Sequence, residues 1–343
     1  MSSSLSTSFV SRRVNDSTFL IIEDDSYGEE PHIYVKIYPD HLLITDTGCD
    51  SPRKHGLALT SLREYIETVP LPLNGHQVLN PNGSKHYIII CSHCHYDHIL
   101  GIPQFLTANP TIIASSFSKS FLAQENLPTN SLCKYINKPT PQYTITHWAH
   151  HLSYFSLPNI PPFRIQFLHI PGHTPDSLAW YDIDEHHLYV GDTIYERKRS
   201  TPIPELPDDA GQVPGLPATQ AAIIFPDEGG DWIAYMSSLS LLLSFTTHKN
   251  DELKKRGSEK RVKVACGHLT YEADAEDMIL QVKGLFERII AGKVSVKRSG
   301  VKRGVVHDFW LEDEGEGSKY SVMAPRRLFE EARRFFHPEI GGS

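Results

Sequence analysis

The chain has 343 residues, 40% of them hydrophobic and 22% charged, with a formal net charge of −8 at pH 7. That is ample apolar sequence for one large domain with a sizeable core. The acidic balance offers no general attraction to a phosphate backbone, so nucleic acid is disfavoured as a partner, and no apolar run approaches the length needed to cross a bilayer.

Residues 1–16 open with a Ser/Arg-rich stretch that lacks the apolar core of a secretory signal, and they read as a disordered tail. The remainder, 17–343, reads as a single domain. Apolar runs at 19–22, 33–38 and 42–44 are separated by short turns bearing Asp, Gly and Pro, a pattern that predicts an antiparallel meander. A helix is expected over 62–66, a second short one over 99–106, and a strand over 111–114. The five cysteines, Cys49, Cys91, Cys94, Cys133 and Cys266, have no framework spacing. They read as small buried hydrophobes, and retained thiols suit a reducing, cytoplasmic setting.

Between the first helix and that strand lies the densest chemistry in the chain. The β-branched run Ile88-Ile89-Ile90 predicts a buried strand, and it ends in Cys91-Ser92-His93-Cys94-His95-Tyr96-Asp97-His98. Three imidazoles and a carboxylate within six positions form a donor set suited to zinc, with iron or manganese as alternatives. In an extended loop His93 and His95 point the same way, because side chains alternate with a period of two, while Asp97 and His98 face a second position.

Three later stretches share the form of a short apolar strand followed by a donor-type residue: 164–173 leads to His173, 188–193 to Asp192, and 262–268 to His268. An earlier one, 42–48, ends in Asp46-Thr47-Gly48. Together, in this order, these motifs resemble those of the metallo-β-lactamase superfamily. The resemblance implies an αββα sandwich of two mixed sheets flanked by helices. It also implies two metal ions, with His93, His95 and His173 on the first, Asp97, His98 and His268 on the second, Asp192 bridging, and Asp46 in a structural role.

The activity implied is that of a dinuclear zinc hydrolase that opens a small-molecule lactone, lactam or ester through a metal-bridging hydroxide. Asp97 would then orient the nucleophile or accept its proton. Aspartate at 192 departs from the cysteine or serine typical of the antibiotic-destroying branch and points to the glyoxalase II/lactonase-like branches. Tyr195, three positions on, resembles the lactonases' tyrosine and would hydrogen-bond the oxyanion or leaving oxygen. Asp176 stands where the family often has glycine. A thioesterase, an iron-dependent persulfide dioxygenase and a phosphodiesterase or nuclease use related centres and remain alternatives.

The rest of the chain reads as support. His147, His150 and His151 cluster without a carboxylate and read as solvated or hydrogen-bonded rings. The proline-rich insertion 197–230 is placed to cover the cleft and select substrate. Helices are expected at 232–245, with Asp231 as N-cap, and through 278–290, followed by a strand at 305–310 and a helix begun by Pro325. The basic groups Lys254, Lys255, Arg256, Lys260, Arg261 and Lys293, Lys297, Arg298, Lys302, Arg303 read as solvated charged faces.

Overall fold

The computed structural model describes residues 6–158, 160, 162–199, 221–313 and 317–338. It is a mixed α/β fold of three sheets and several helices, consistent with the metallo-β-lactamase sandwich. By their contacts the described residues form two compact units, the first ending at Ala149 and the second beginning at His150. No helix among the described residues is long and apolar enough to cross a membrane.

The first unit is built on one seven-stranded sheet in the order β1 (Phe9–Arg13), β2 (Thr18–Glu23), β3 (His32–Ile37), β4 (His41–Thr45), β5 (His86–Ile90), β6 (Thr111–Ser115) and β7 (His147–Ala149). The expected meander is present as β2 to β4. It begins earlier than expected, however, because Phe9–Arg13, inside the stretch read as a tail, pairs with β2 from Phe9↔Glu23 to Arg13↔Phe19. Phe9 supplies the reason: its ring is buried against Tyr65, while Arg12 and Arg13 give the outer strand the charge an edge tolerates.

From β4 onward the pairing is parallel. Parallel neighbours end at the same edge of a sheet, so the loops leaving β4 and β5 start side by side, as the register Thr45↔Ile90 shows. α1 (Leu62–Thr68) is capped by Ser61 and buries Leu62, Tyr65 and Ile66. The helix expected over 99–106 is displaced and split. α2 (Tyr96–Ile99) starts at the ligand loop itself and is followed by a tighter 3₁₀ stretch, Ile102–Ala108, with Pro103 in its first turn, before α3 (Leu127–Asn130).

The second unit holds a five-stranded sheet of β8 (Ile165–His169), β9 (Leu178–Asp182), β10 (His187–Tyr189), β12 (Lys263–Ala265) and β13 (Ala273–Asp274). A four-stranded one contains β11 (Ile223–Ile224), β14 (Val296–Lys302), β15 (Val305–Trp310) and β16 (Val322–Pro325). β8 and β10 both run antiparallel to β9, and β10 runs parallel to β12. Strands β8, β10 and β12 therefore all end at the same edge.

α4 (Trp232–Lys255) is capped by Asp231 as expected and continues ten residues past the predicted end, burying Thr246, Asn250 and Leu253. α5 (Ala275–Ile290) is capped by Asp274, and α6 (Arg326–Phe336) follows Pro325. Trp232, Phe286 and Trp310 pack together in the core of this unit. Most of the insertion at 197–230 lies outside the described residues.

Candidate metal centre

In the first unit the candidate ligands sit at the C-terminal end of β5, beside that of β4, where sheets with parallel strands usually place their sites. His93, His95, Asp97 and His98 are all buried. Their protonation states follow from hydrogen-bond accounting. The Ser92 hydroxyl donates its one proton to Asp46 Oδ2 at 2.7 Å, so toward His93 Nδ1, 3.0 Å away, it can only accept. His93 therefore carries its proton on Nδ1 and presents Nε2, which lies 2.9 Å from His95 Nδ1.

His98 Nδ1 is 2.8 Å from Asp46 Oδ2 and donates to it, which leaves Nε2 turned toward Asp97 Oδ2 at 3.2 Å. Asp46 also accepts the backbone N–H of Ser92 at 2.8 Å. One carboxylate thus fixes the ring of His98 directly and that of His93 through a hydroxyl, the outer-shell arrangement that orients metal ligands. The structural role implied for Asp46 by its motif matches this geometry.

In the second unit the three predicted residues arrive on three strand ends, His173 after β8, Asp192 after β10 and His268 after β12. His173 Nδ1 donates to the carbonyl of Ile224 at 2.8 Å, leaving Nε2 as its lone-pair face, 3.9 Å from Asp192 Oδ2. His268 Nε2 is 3.2 Å from the same oxygen. The loops are held from behind by Tyr235, whose hydroxyl donates to Thr193 O at 2.6 Å. Its Cα and Cβ lie 2.5 Å from where a side chain at Gly172 would begin, so that close approach requires glycine.

Tyr195 is buried with its ring edge-on to His268, centroids 5.6 Å apart, and its hydroxyl accepts the Ile224 N–H at 3.3 Å. His93, His95, Asp97 and His98 in the first unit and His173, Asp192 and His268 in the second are all buried donors of the kind that could hold a metal. Neutral imidazoles whose Nδ1–H is already committed fit a divalent cation well, because Nε2 is left as a lone pair.

The remaining sequence candidates fall elsewhere. His151 Nδ1 accepts the backbone N–H of His169, and none of His147, His150 and His151 belongs to a metal-holding group among the described residues. All five cysteines are buried thiols. Arg261 is tied to Asp274 and Glu276, whereas Lys297 and Arg298 lie on the exposed face of β14.

Three supports were missed in the sequence. Ser92 and Tyr235 act on residues distant in the chain or through a hydroxyl with no motif of its own. The third is Glu23, an acidic residue ending an apolar strand, at 1% exposure; only the unusual placement of a carboxylate at that point could have flagged it.

The profile of the metallo-β-lactamase superfamily matches residues 32–248. A protein named putative transcription factor avaE, from Aspergillus versicolor, is 32% identical over 337 residues, spanning 96% of this chain and 90% of its own. Among solved structures, that of the DIM-1 metallo-β-lactamase exposed to ceftazidime is similar over 82% of this chain and 97% of its own, at 14% identity and a TM-score of 0.48. An archaeal superfamily protein, ST1585 from Sulfolobus tokodaii, is similar over 80% of this chain and 87% of its own, at 13% identity and a TM-score of 0.47.

Proposed function

This chain belongs to the metallo-β-lactamase superfamily, whose members are mostly metal-dependent hydrolases, and on that premise we propose that it opens a small-molecule lactone, lactam or ester. The observation that carries the reading is the tautomer pattern. His93, His98 and His173 each spend Nδ1–H on an oxygen of the protein and keep Nε2 for a cation. In this reading His93, His95 and His173 form one ligand set, Asp97, His98 and His268 the other, and Asp192 serves both.

Bound divalent ions, zinc by default, supply Lewis acidity that brings water toward ionisation at neutral pH and polarises a carbonyl. The chain's own groups do the rest. Asp97 would orient the attacking water or accept its proton. The phenol of Tyr195, whose ring lies edge-on to His268, would donate to the oxyanion or leaving oxygen. We assign substrate selection to the insertion 197–230.

Elemental analysis of protein purified without added metal is the first test, followed by assay on lactones, lactams, esters and thioesters. Two zinc ions per chain with lactone, lactam or ester turnover is the expected result. Selective thioester turnover would move the protein to the thioesterase branch, and iron with oxygen uptake would replace hydrolysis by persulfide oxidation.

A second reading, nucleic-acid binding, draws on the name of the Aspergillus relative, a putative transcription factor, and on the exposed β14, which carries Lys297, Arg298 and Lys302. A gel-shift with salt titration decides it: the net charge of −8 leads us to expect no retardation at physiological salt.

A further inference from the structure

We propose that Glu23, at the end of β2, is a positioning residue for His98, acting through the loop 46–51 that its carboxylate organises; this rests on the reading of His98 as a metal ligand. Glu23 touches no candidate ligand. Its Oε2 accepts the backbone N–H groups of Cys49 at 2.7 Å and Asp50 at 3.3 Å, and its Oε1 accepts that of Ser51 at 2.9 Å.

The loop takes an unusual path to make those bonds. Asp46, Gly48 and Asp50, alternate residues, have φ of 61°, 77° and 46°. Alternation into the left-handed region turns successive N–H groups toward one point, forming a backbone concavity that suits an anion. Glycine and aspartate are among the residues that reach that region most readily, so the path is open to this loop, and Glu23 is the acceptor on which its N–H groups converge. The fit is close enough that a Cβ on Gly48 would lie 2.4 Å from Glu23 Oε2.

The other end of the loop grips His98 twice. Asp46 takes the ring N–H, and Thr47 donates both its backbone N–H at 2.8 Å and its hydroxyl at 3.0 Å to the His98 carbonyl. Ring and main chain of this residue are therefore set by the two residues that lead into the concavity. If the carboxylate is lost, three N–H groups lose their acceptor, the loop relaxes, and Asp46 and Thr47 move with it. Asp46 also reaches His93 through Ser92, so a smaller effect travels to the second cluster residue.

The test uses the full chain and four variants: Glu23→Ala, Glu23→Gln, Gly48→Ala and, as a control in the same core, Phe105→Leu. Zinc affinity is measured by competition with a chelating dye, thermal stability by melting, and the His98 Nδ1–H by imidazole-detected NMR of the metal-free protein. Glu23→Ala and Gly48→Ala should each weaken zinc at the Asp97/His98 site by about 10- to 100-fold, the range for loss of an outer-shell partner. The His98 Nδ1–H resonance should shift in both. Glu23→Gln, which keeps one carbonyl oxygen, should fall between wild type and Ala.

Phe105→Leu should lower the melting temperature and leave zinc affinity and the NMR signal unchanged. The proposal is overturned if folded Glu23→Ala and Gly48→Ala bind zinc as wild type does, or if Phe105→Leu loses zinc in proportion to its stability. If wild type binds no metal, the site reading fails on its own. The NMR shift still decides whether Glu23 positions His98.

Discussion

The two clusters are built on opposite plans. In the first unit four candidate ligands fall within six consecutive residues at one strand end, and their orientation comes from charged and hydroxylic side chains, Asp46 and Ser92 in contact and Glu23 one loop behind. In the second, three candidate ligands, His173, Asp192 and His268, come from three strand ends far apart in the chain and are steadied by a main-chain carbonyl and a phenol, Ile224 O for His173 and Tyr235 for the Asp192 loop. A dense local motif lets side chains a few residues away orient the ligands. A dispersed one needs parallel strands to bring its members to one edge and a helix behind them.

Removing a ligand from either cluster should erase the contrast. His95→Ala and Asp192→Ala should each lose bound metal and hydrolysis by more than the roughly 100-fold of an outer-shell change, read by elemental analysis and turnover on the same preparation. Retained turnover with both metals gone would end the hydrolase reading. The contrast reappears one step out. Ser92→Ala removes the group that fixes the His93 tautomer, and zinc affinity should fall by about 10-fold or more. Tyr235→Phe deletes a bond to a backbone carbonyl and should cost stability of about 1 kcal/mol, with little change in zinc affinity.

Glu23 sharpens the comparison through pH. Burial pushes its carboxyl up to about 7 from an ordinary 4.5, against the pull of the N–H groups of Ser51 and Cys49. A carboxyl raised in the folded state binds its proton more tightly there than in the unfolded chain. Its contribution is therefore complete below pH 4.5 and is lost as pH rises through about 7. The amount is about 3 kcal/mol at the usual 1.36 kcal/mol per unit. Glu23→Gln should flatten the fall in unfolding free energy across that window, measured by urea titration at several pH values, while no such slope should come from the Tyr235 side.

The smallest effect should come from a cap that belongs to neither cluster. Asp274→Ala removes the N-cap of α5 and the Arg261 partner, costing about 1 kcal/mol and leaving metal content untouched.

Much of this was readable in the linear chain because the relevant physics is local. An apolar run ending in donor-type residues marks a strand and its loop wherever it occurs, which makes β5 legible from its own residues, whereas β8, β10 and β12 are legible through the family resemblance. N-caps Asp231 and the helix after Pro325 follow from backbone groups only a few positions away. The misses share the opposite property. Phe9–Arg13 becomes a strand because Phe9 meets Tyr65, and α4 runs on because Thr246, Asn250 and Leu253 find a core to enter.

The sequence alone determined the kinds of donor and the strand ends that carry them, since side-chain chemistry and period-two alternation need no partner. Only the tertiary structure decided which nitrogen of each histidine holds its proton and what holds the ligand loops in place. Those depend on Ser92 and Asp46 for His93, on Ile224 for His173 and on Glu23 for the loop behind His98. Such hydrogen bonds join residues far apart in the chain, and their geometry exists only once the strands have paired.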